Sequence, residues 1–169
     1  MRLAVISDIH GNLEAFREVL LDIEGCRIDT VVCLGDTIGY GPEPEQALAL
    51  IRQRNIPSVM GNHELAVKDP KQLTWFNPRA RKSLKMTAKL LSADSIDYIM
   101  RLKPFLNDHR CRFVHGFPPD SATRYLFQAS KEELIDVFNQ MKEQRCFIGH
   151  THTLEIVEFD GAHLAAGRV

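Results

Sequence analysis

Cysteine is scarce in this chain, with four among 169 residues. They stand at Cys26, Cys33, Cys111 and Cys146, with no Cys-x-x-Cys spacing. That excludes a disulfide-stapled scaffold and a structural cysteine-zinc site. Cys33, Cys111 and Cys146 fall in apolar runs of the kind that form buried strands, so reduced core thiols are expected. Long apolar runs are also missing. None approaches the roughly 20 residues that cross a bilayer, and the opening Met1-Arg2-Leu3-Ala4-Val5-Ile6 is too short in apolar length for a secretion signal. The expected compartment is the cytoplasm, with no membrane partner. No charge sign dominates either: 21 Lys and Arg stand against 22 Asp and Glu, for a net charge of -1. A broad basic surface for gripping nucleic-acid backbones is therefore not expected, although a local basic patch remains open. Repeats, low-complexity tracts and Gly/Ser linkers are absent, and one domain spanning residues 1–169 is expected.

The chain does carry an ordinary globular mixture, 44% hydrophobic and 25% charged, arranged in alternating segments. Residues 2–7 read as a buried strand, followed by a turn at Gly11 and a helix capped by Asn12. Leu13, Phe16, Val19, Leu20 and Ile23 mark one face of that helix. Residues 30–34 predict a second strand, 45–54 a second helix, and 58–60 a short third strand after Pro57. This βαβαβ order implies an α/β fold with a mainly parallel sheet. Residues 78–102 predict two amphipathic helices, the second opening near Ser92. Residues 111–115 return to strand, and Ser130-Lys131-Glu132-Glu133 has capping-box spacing ahead of another helix. A buried strand follows at 146–149. The chain then predicts a hairpin, 154–159 and 162–165, about Asp160-Gly161.

Histidine is where the chemistry gathers. Of seven, five directly follow apolar strand-like runs, in Asp8-Ile9-His10, Gly61-Asn62-His63-Glu64, His115-Gly116 and Gly149-His150-Thr151-His152. Gly35-Asp36 completes the set. Taken singly, each fragment has a plain alternative: a capping Asp, a strand-to-turn pair, a solvated ring. Together they suggest convergence, because ligands in open α/β sheets bind beyond the carboxyl ends of the strands. The side chains in these motifs offer nitrogen and oxygen donors and no thiolate, which suits Mn²⁺, Fe, Zn²⁺, Co²⁺ or Ni²⁺. His109 and His163 lack such neighbours and read as surface residues.

This set, in this order, resembles the calcineurin-like metallophosphoesterase superfamily. Asp8-Ile9-His10-Gly11-Asn12, Gly35-Asp36-Thr37-Ile38-Gly39-Tyr40-Gly41-Pro42 and Val114-His115-Gly116 resemble its small bacterial and archaeal phosphodiesterase-like branch. The resemblance implies a two-sheet sandwich flanked by helices, and two divalent cations bridged by Asp36, with Mn²⁺ the leading candidate. It would place the first with Asp8, His10, Asp36 and His152, and the second with Asp36, Asn62, His115 and His150. It implies hydrolysis of a small phosphate ester, more readily a phosphodiester, by a cation-bridging hydroxide attacking phosphorus in line. His63 would protonate the leaving oxygen or stabilise transition-state charge, and Glu64 or Asp8 would orient neighbouring ligands. The alternative is a non-catalytic metal-binding scaffold of the same fold.

Two departures stand out. Gly35-Asp36-Thr37-Ile38-Gly39-Tyr40-Gly41 occupies the place of Gly-Asp-x-Val-Asp-Arg-Gly in the protein phosphatases, so the substrate-clamping Arg is absent and Tyr40 becomes a candidate pocket wall. The close, Ala165-Ala166-Gly167-Arg168-Val169, stands where relatives continue through an Asn-Pro-Gly-Ser-Val segment and further strands. A shortened C-terminal β part would leave an open edge, and a homodimer covering it is expected. The run Arg79, Arg81, Lys82 and Lys85 reads as a solvated helix face, with a contact to substrate phosphates or a nucleic-acid strand as the alternative.

Overall fold

In the computed structural model, which describes residues 1–168, the first half of the chain builds a helix layer on a short parallel sheet. Strand β1 (Leu3–Ile6) pairs in parallel with β2 (Thr30–Cys33). Between them runs α1 (Leu13–Gly25), whose first turn is capped by the Asn12 side chain accepting from the Ala15 N–H. Helix α2 (Pro44–Gln53) follows, opened by Pro44, which needs no N–H there. The segment predicted as a third strand pairs only through isolated parallel bridges, Cys33 to Ser58 and Val59 to Lys103. Chain direction changes at once, because Asn62 begins a short helix, α3 (Asn62–Lys68). That helix has no counterpart among the elements predicted from the sequence.

Period-two alternation divides β2 between two cores. Val31 and Cys33 face a cluster with Phe16, Leu20 and Ile51 from α1 and α2. Val32 and Leu34 face the other way, packing with Val59, Cys111 and Phe113. Those last two residues belong to a second sheet, in which β3 (Phe105–Asp108) pairs antiparallel with β4 (Cys111–Val114), and β4 pairs in parallel with β5 (Arg145–Ile148). Two sheets face to face with helices outside is the fold class expected. Burying the apolar inner faces contributes about 25 cal/mol per Å² removed from water.

The two middle helices form as expected, α4 (Pro78–Leu90) and α5 (Ala93–Arg101), with Ser92 capping the second. A 3₁₀ turn at Pro70–Trp75 and another at Leu126–Gln128 have no counterpart in the sequence pattern. Helix α6 (Lys131–Gln140) opens with the expected box, Ser130 accepting from the Glu133 N–H and Glu133 from the Ser130 N–H. The hairpin is longer on its return than predicted: β6 (Glu155–Phe159) pairs with β7 (Leu164–Arg168) about Gly161, at φ 96°. Among the described residues the hairpin pairs with no other strand. Val169, the last residue of the predicted shortened end, lies outside the described residues.

All four cysteines are free, and burial pushes the Cys33 thiol up to about 12. Among the described residues, no helix is long and apolar enough to cross a membrane.

Candidate metal centre

Strands β1, β2, β4 and β5 all end at one place, and the turns that follow are tied together by the backbone. Asp8 N–H donates to Gly35 O at 3.1 Å, His10 N–H to Asp36 O at 2.8 Å and Gly11 N–H to Thr37 O at 2.8 Å. Gly149 N–H donates to His115 O at 2.8 Å. The loops after these strands therefore approach one another through their main chains, and their side chains point into the space between.

The backbone there is held in an uncommon conformation. Asp8, His10, Asp36, His150 and His152 have φ between 51° and 64°. A side-chain-bearing residue in this left-handed region costs roughly 1 kcal/mol or more. Five of the seven donors singled out from the sequence bear that strain, which the surrounding hydrogen bonds maintain.

Asp36 lies at the centre, 2% exposed. Its Oδ1 accepts the His63 N–H at 2.9 Å. Its Oδ2 lies 3.3 Å from His115 Nε2 and 3.9 Å from both His10 Nε2 and His63 Nε2. Burial opposes its charge, but the His115 imidazole foremost overrides that and holds the carboxyl well below the usual range. Burial likewise opposes the His115 imidazolium, while the Asp36 carboxylate outweighs it and holds His115 up at about 9.

The imidazoles are oriented from behind. His115 Nδ1 donates to Leu34 O at 2.8 Å and His10 Nδ1 to Ile38 O at 3.1 Å, turning both Nε2 atoms inward. A carbonyl can only accept, which fixes the proton on Nδ1. His150 is turned the other way: Nε2 donates to Thr123 O at 3.2 Å, leaving Nδ1 free. His152 Nε2 lies 3.1 Å from Asp8 Oδ1 and 3.4 Å from His10 Nε2. Asn62 Oδ1 lies 2.9 Å from His115 Nε2.

Donor atoms of Asp8, His10 and His152 thus fall within 4.8 Å of one another, as do those of Asp36, His115 and His150. A third such group joins His10, Asp36 and His63. These residues could hold metal. Inward-facing imidazole nitrogens and carboxylate oxygens about a common point form a donor set that a divalent cation satisfies, without a thiolate. All seven candidate ligands come together, and none is left outside. Geometry alone also puts His63 beside them, although the resemblance sets it apart from the ligands.

Glu64 is the supporting residue that the sequence leaves undecided. Fully buried, it accepts from four backbone N–H groups: Asp36 at 2.8 Å and Gly61 at 3.1 Å through Oε2, Thr37 at 2.8 Å and Ile38 at 3.2 Å through Oε1. Burial, with the Asp36 charge, pushes Glu64 up to about 7 against those bonds. Its place three residues after Gly61 is capping-box spacing, the signal from which it could have been read. Asp8 also orients, its Oδ2 accepting the His150 N–H at 3.1 Å. Gly61 is required by close approach, since a Cβ there would collide with Asp36 Oδ1 and Glu64 Oε2.

His63 is 2% exposed, and burial holds its imidazole down to about 4. Its Nδ1 is buried without a hydrogen-bond partner. Gly39, at φ 89°, leaves the space that the ring fills; a Cβ there would overlap Nδ1. Tyr40 and His10 flank the ring at 4.7 Å, and the Phe76 ring meets it edge to face at 5.2 Å. Tyr125 stacks on His150 at 3.8 Å. These aromatics wall an open cavity of about 710 Å³ over the donors. Tyr40 takes its expected place as a wall. Trp75, Phe76 and Tyr125 join it without a sequence signal, because nothing in their spacing links them to the strand ends. His109 and His163 stand apart from the cavity lining, as expected of surface residues.

Comparison with known proteins agrees with this geometry. The calcineurin-like phosphoesterase superfamily domain matches residues 1–166. An uncharacterized protein of Methanocaldococcus jannaschii is 35% identical over 155 residues, covering 89% of this chain and 62% of its own length. The crystal structure of a metallophosphoesterase from Sphaerobacter thermophilus superposes with a TM-score of 0.76 at 37% identity, over 94% of this chain and 64% of that one. Serine/threonine-protein phosphatase 1 of Salmonella typhimurium is 26% identical over 181 residues, covering 94% of this chain and 82% of its own length. The chain thus spans less than two thirds of the length of the archaeal protein and of the Sphaerobacter structure.

Proposed function

Because this chain belongs to the calcineurin-like phosphoesterase superfamily, we propose that it hydrolyses small phosphate esters, phosphodiesters by preference, with two divalent cations, Mn²⁺ foremost. The observation that carries the reading is the position of Asp36 between the two donor groups. Its Oδ2 is 3.3 Å from His115 Nε2 on one side and 3.9 Å from His10 Nε2 on the other. We assign one cation to Asp8, His10, Asp36 and His152, and the other to Asp36, Asn62, His115 and His150. When bound, divalent cations supply Lewis acidity towards phosphate oxygens and acidify water to a nucleophile at neutral pH.

The chain's own residues do the rest. Asp8, Glu64 and the carbonyls of Leu34, Ile38 and Thr123 fix the donors before substrate arrives, so little reorganisation accompanies binding. His63 is the group that holds or passes a proton. Neutral at pH 7, it can donate an N–H to an oxygen of the bound ester, and an anion beside it raises its affinity for a second proton. Tyr40, Phe76 and Tyr125 wall the open cavity above the donors. Hydrolysis of bis-p-nitrophenyl phosphate with added Mn²⁺ tests the reading; absence of turnover across Mn²⁺, Ni²⁺, Co²⁺ and Zn²⁺ leaves the scaffold alternative. For partners, we propose a second copy of the chain over the β6–β7 hairpin, where Leu154 and Ile156 are exposed.

A further inference from the structure

The exposed aromatic side chains among the described residues are Tyr40 (54%), Trp75 (81%) and Phe127 (72%). An isolated exposed ring is unremarkable on a protein surface. These three converge on one cavity: Tyr40 and Trp75 line it, and Phe127 stacks at 4.8 Å on Tyr125, which lines it too. Exposed rings grouped at a concave site mark a surface kept open for a ligand.

The arm that bears Trp75 is held in place. Trp75 ends the 3₁₀ turn Pro70–Trp75 and immediately precedes Phe76, whose ring meets His63. Arg81, on the first turns of α4, donates through Nε to Leu73 O at 3.0 Å, and through Nη2 to Phe76 O at 3.1 Å and Thr74 O at 3.4 Å. One guanidinium thereby fixes the backbone on both sides of the indole, and this gives Arg81 a task beyond a solvated helix face. The arm is also electropositive. No Asp or Glu occurs in residues 70–93, which carry Lys71, Arg79, Arg81, Lys82, Lys85 and Lys89 in a chain whose net charge is only -1.

We propose that this aromatic mouth is a binding subsite for the organic substituent of the substrate, and that the substrate is a nucleotide-type phosphoester whose base stacks on Trp75. The proposal rests on the phosphoesterase reading. A flat, exposed indole rewards a π-face, which every nucleobase offers and an alkyl, serine or threonine ester of phosphate does not. The Tyr125–Phe127 pair, from a separate segment, supplies a second wall, stacked in turn on the candidate ligand His150.

The chain contains a single tryptophan, so its fluorescence reports on this subsite and nothing else. The test titrates the Mn²⁺-supplemented chain with adenosine monophosphate and, in parallel, with ribose 5-phosphate, and compares turnover of thymidine 5′-(p-nitrophenyl phosphate) with methyl p-nitrophenyl phosphate. Adenosine monophosphate should shift the emission and shield Trp75 from acrylamide, whereas ribose 5-phosphate should not. The base-bearing ester should be preferred by about tenfold or more in kcat/KM. Trp75→Ala should collapse that ratio towards one through KM, and Trp75→Phe should restore most of it. Equal rates for the two esters with no distinction between the two phosphates at Trp75 overturn the proposal. Silence towards both esters, with the response to adenosine monophosphate intact, defeats the phosphoesterase reading and leaves the nucleotide subsite standing.

Discussion

The carboxylate of Glu64 accepts the backbone N–H of Asp36 at 2.8 Å, so the central candidate ligand is positioned by a residue that itself lies outside the donor set. Three further backbone N–H groups, from Thr37, Ile38 and Gly61, end on the same carboxylate. Glu64→Gln replaces one acceptor oxygen with an amide that faces N–H donors. Each buried N–H left unsatisfied costs about 1–3 kcal/mol. Urea denaturation should show the variant less stable by at least that amount, and its affinity for Mn²⁺ should fall by roughly 10- to 100-fold. Unchanged stability would contradict the assigned role.

His63→Ala should lower turnover of a phosphodiester by roughly 10² to 10⁴. Cation content, measured by elemental analysis of the purified variant, should match that of the parent. A variant that loses metal along with activity would make His63 a ligand, in keeping with its place beside His10 and Asp36.

Metal-stripped protein should lose stability as pH rises. The folded-state value of His115, about 9, lies above its ordinary 6.5. A group raised in this way stabilises fully below the unfolded value and loses that contribution as pH climbs through the folded one. The window is therefore about 6.5 to 9, and thermal melts in chelator across it should show a falling Tm. Restoring Mn²⁺ should flatten the trend, because a cation at Asp36 and His115 replaces the proton. A Tm that rises through this window without metal would contradict the account.

The hairpin β6–β7 should lie at a contact between copies. Light scattering at micromolar concentration should give twice the monomer mass, and Ile156→Lys should halve it. A monomer throughout would remove the proposed homodimer.

The candidate site is legible in the sequence because its chemistry sits at strand ends. An apolar run predicts a strand, and the residue after it lies at a strand end, which locates Asp8, Asp36, His115 and His150; that these ends, from two separate sheets, serve one site is what the resemblance implies. The supporting residues are less legible. Glu64 shows only as capping-box spacing to Gly61, while its other partners, the N–H groups of Asp36, Thr37 and Ile38, are main-chain groups far away in sequence that leave no compositional trace. Helix α3 is hidden because Gly61 and Asn62 resemble turn chemistry, while the seven-residue segment is too short for a clear 3.6-residue period. Strand β3 and the walls at Trp75 and Tyr125 depend on tertiary packing. The basic run on α4 is visible as charge, but the three carbonyls that Arg81 holds lie on another segment.

The most direct measurement is an anomalous difference map from crystals of the chain grown with Mn²⁺. Two peaks should appear on either side of the Asp36 carboxylate, roughly 3.5–4 Å apart, one beside Asp8, His10 and His152 and the other beside Asn62, His115 and His150. A single peak, or two peaks without Asp36 between them, would contradict the dinuclear account.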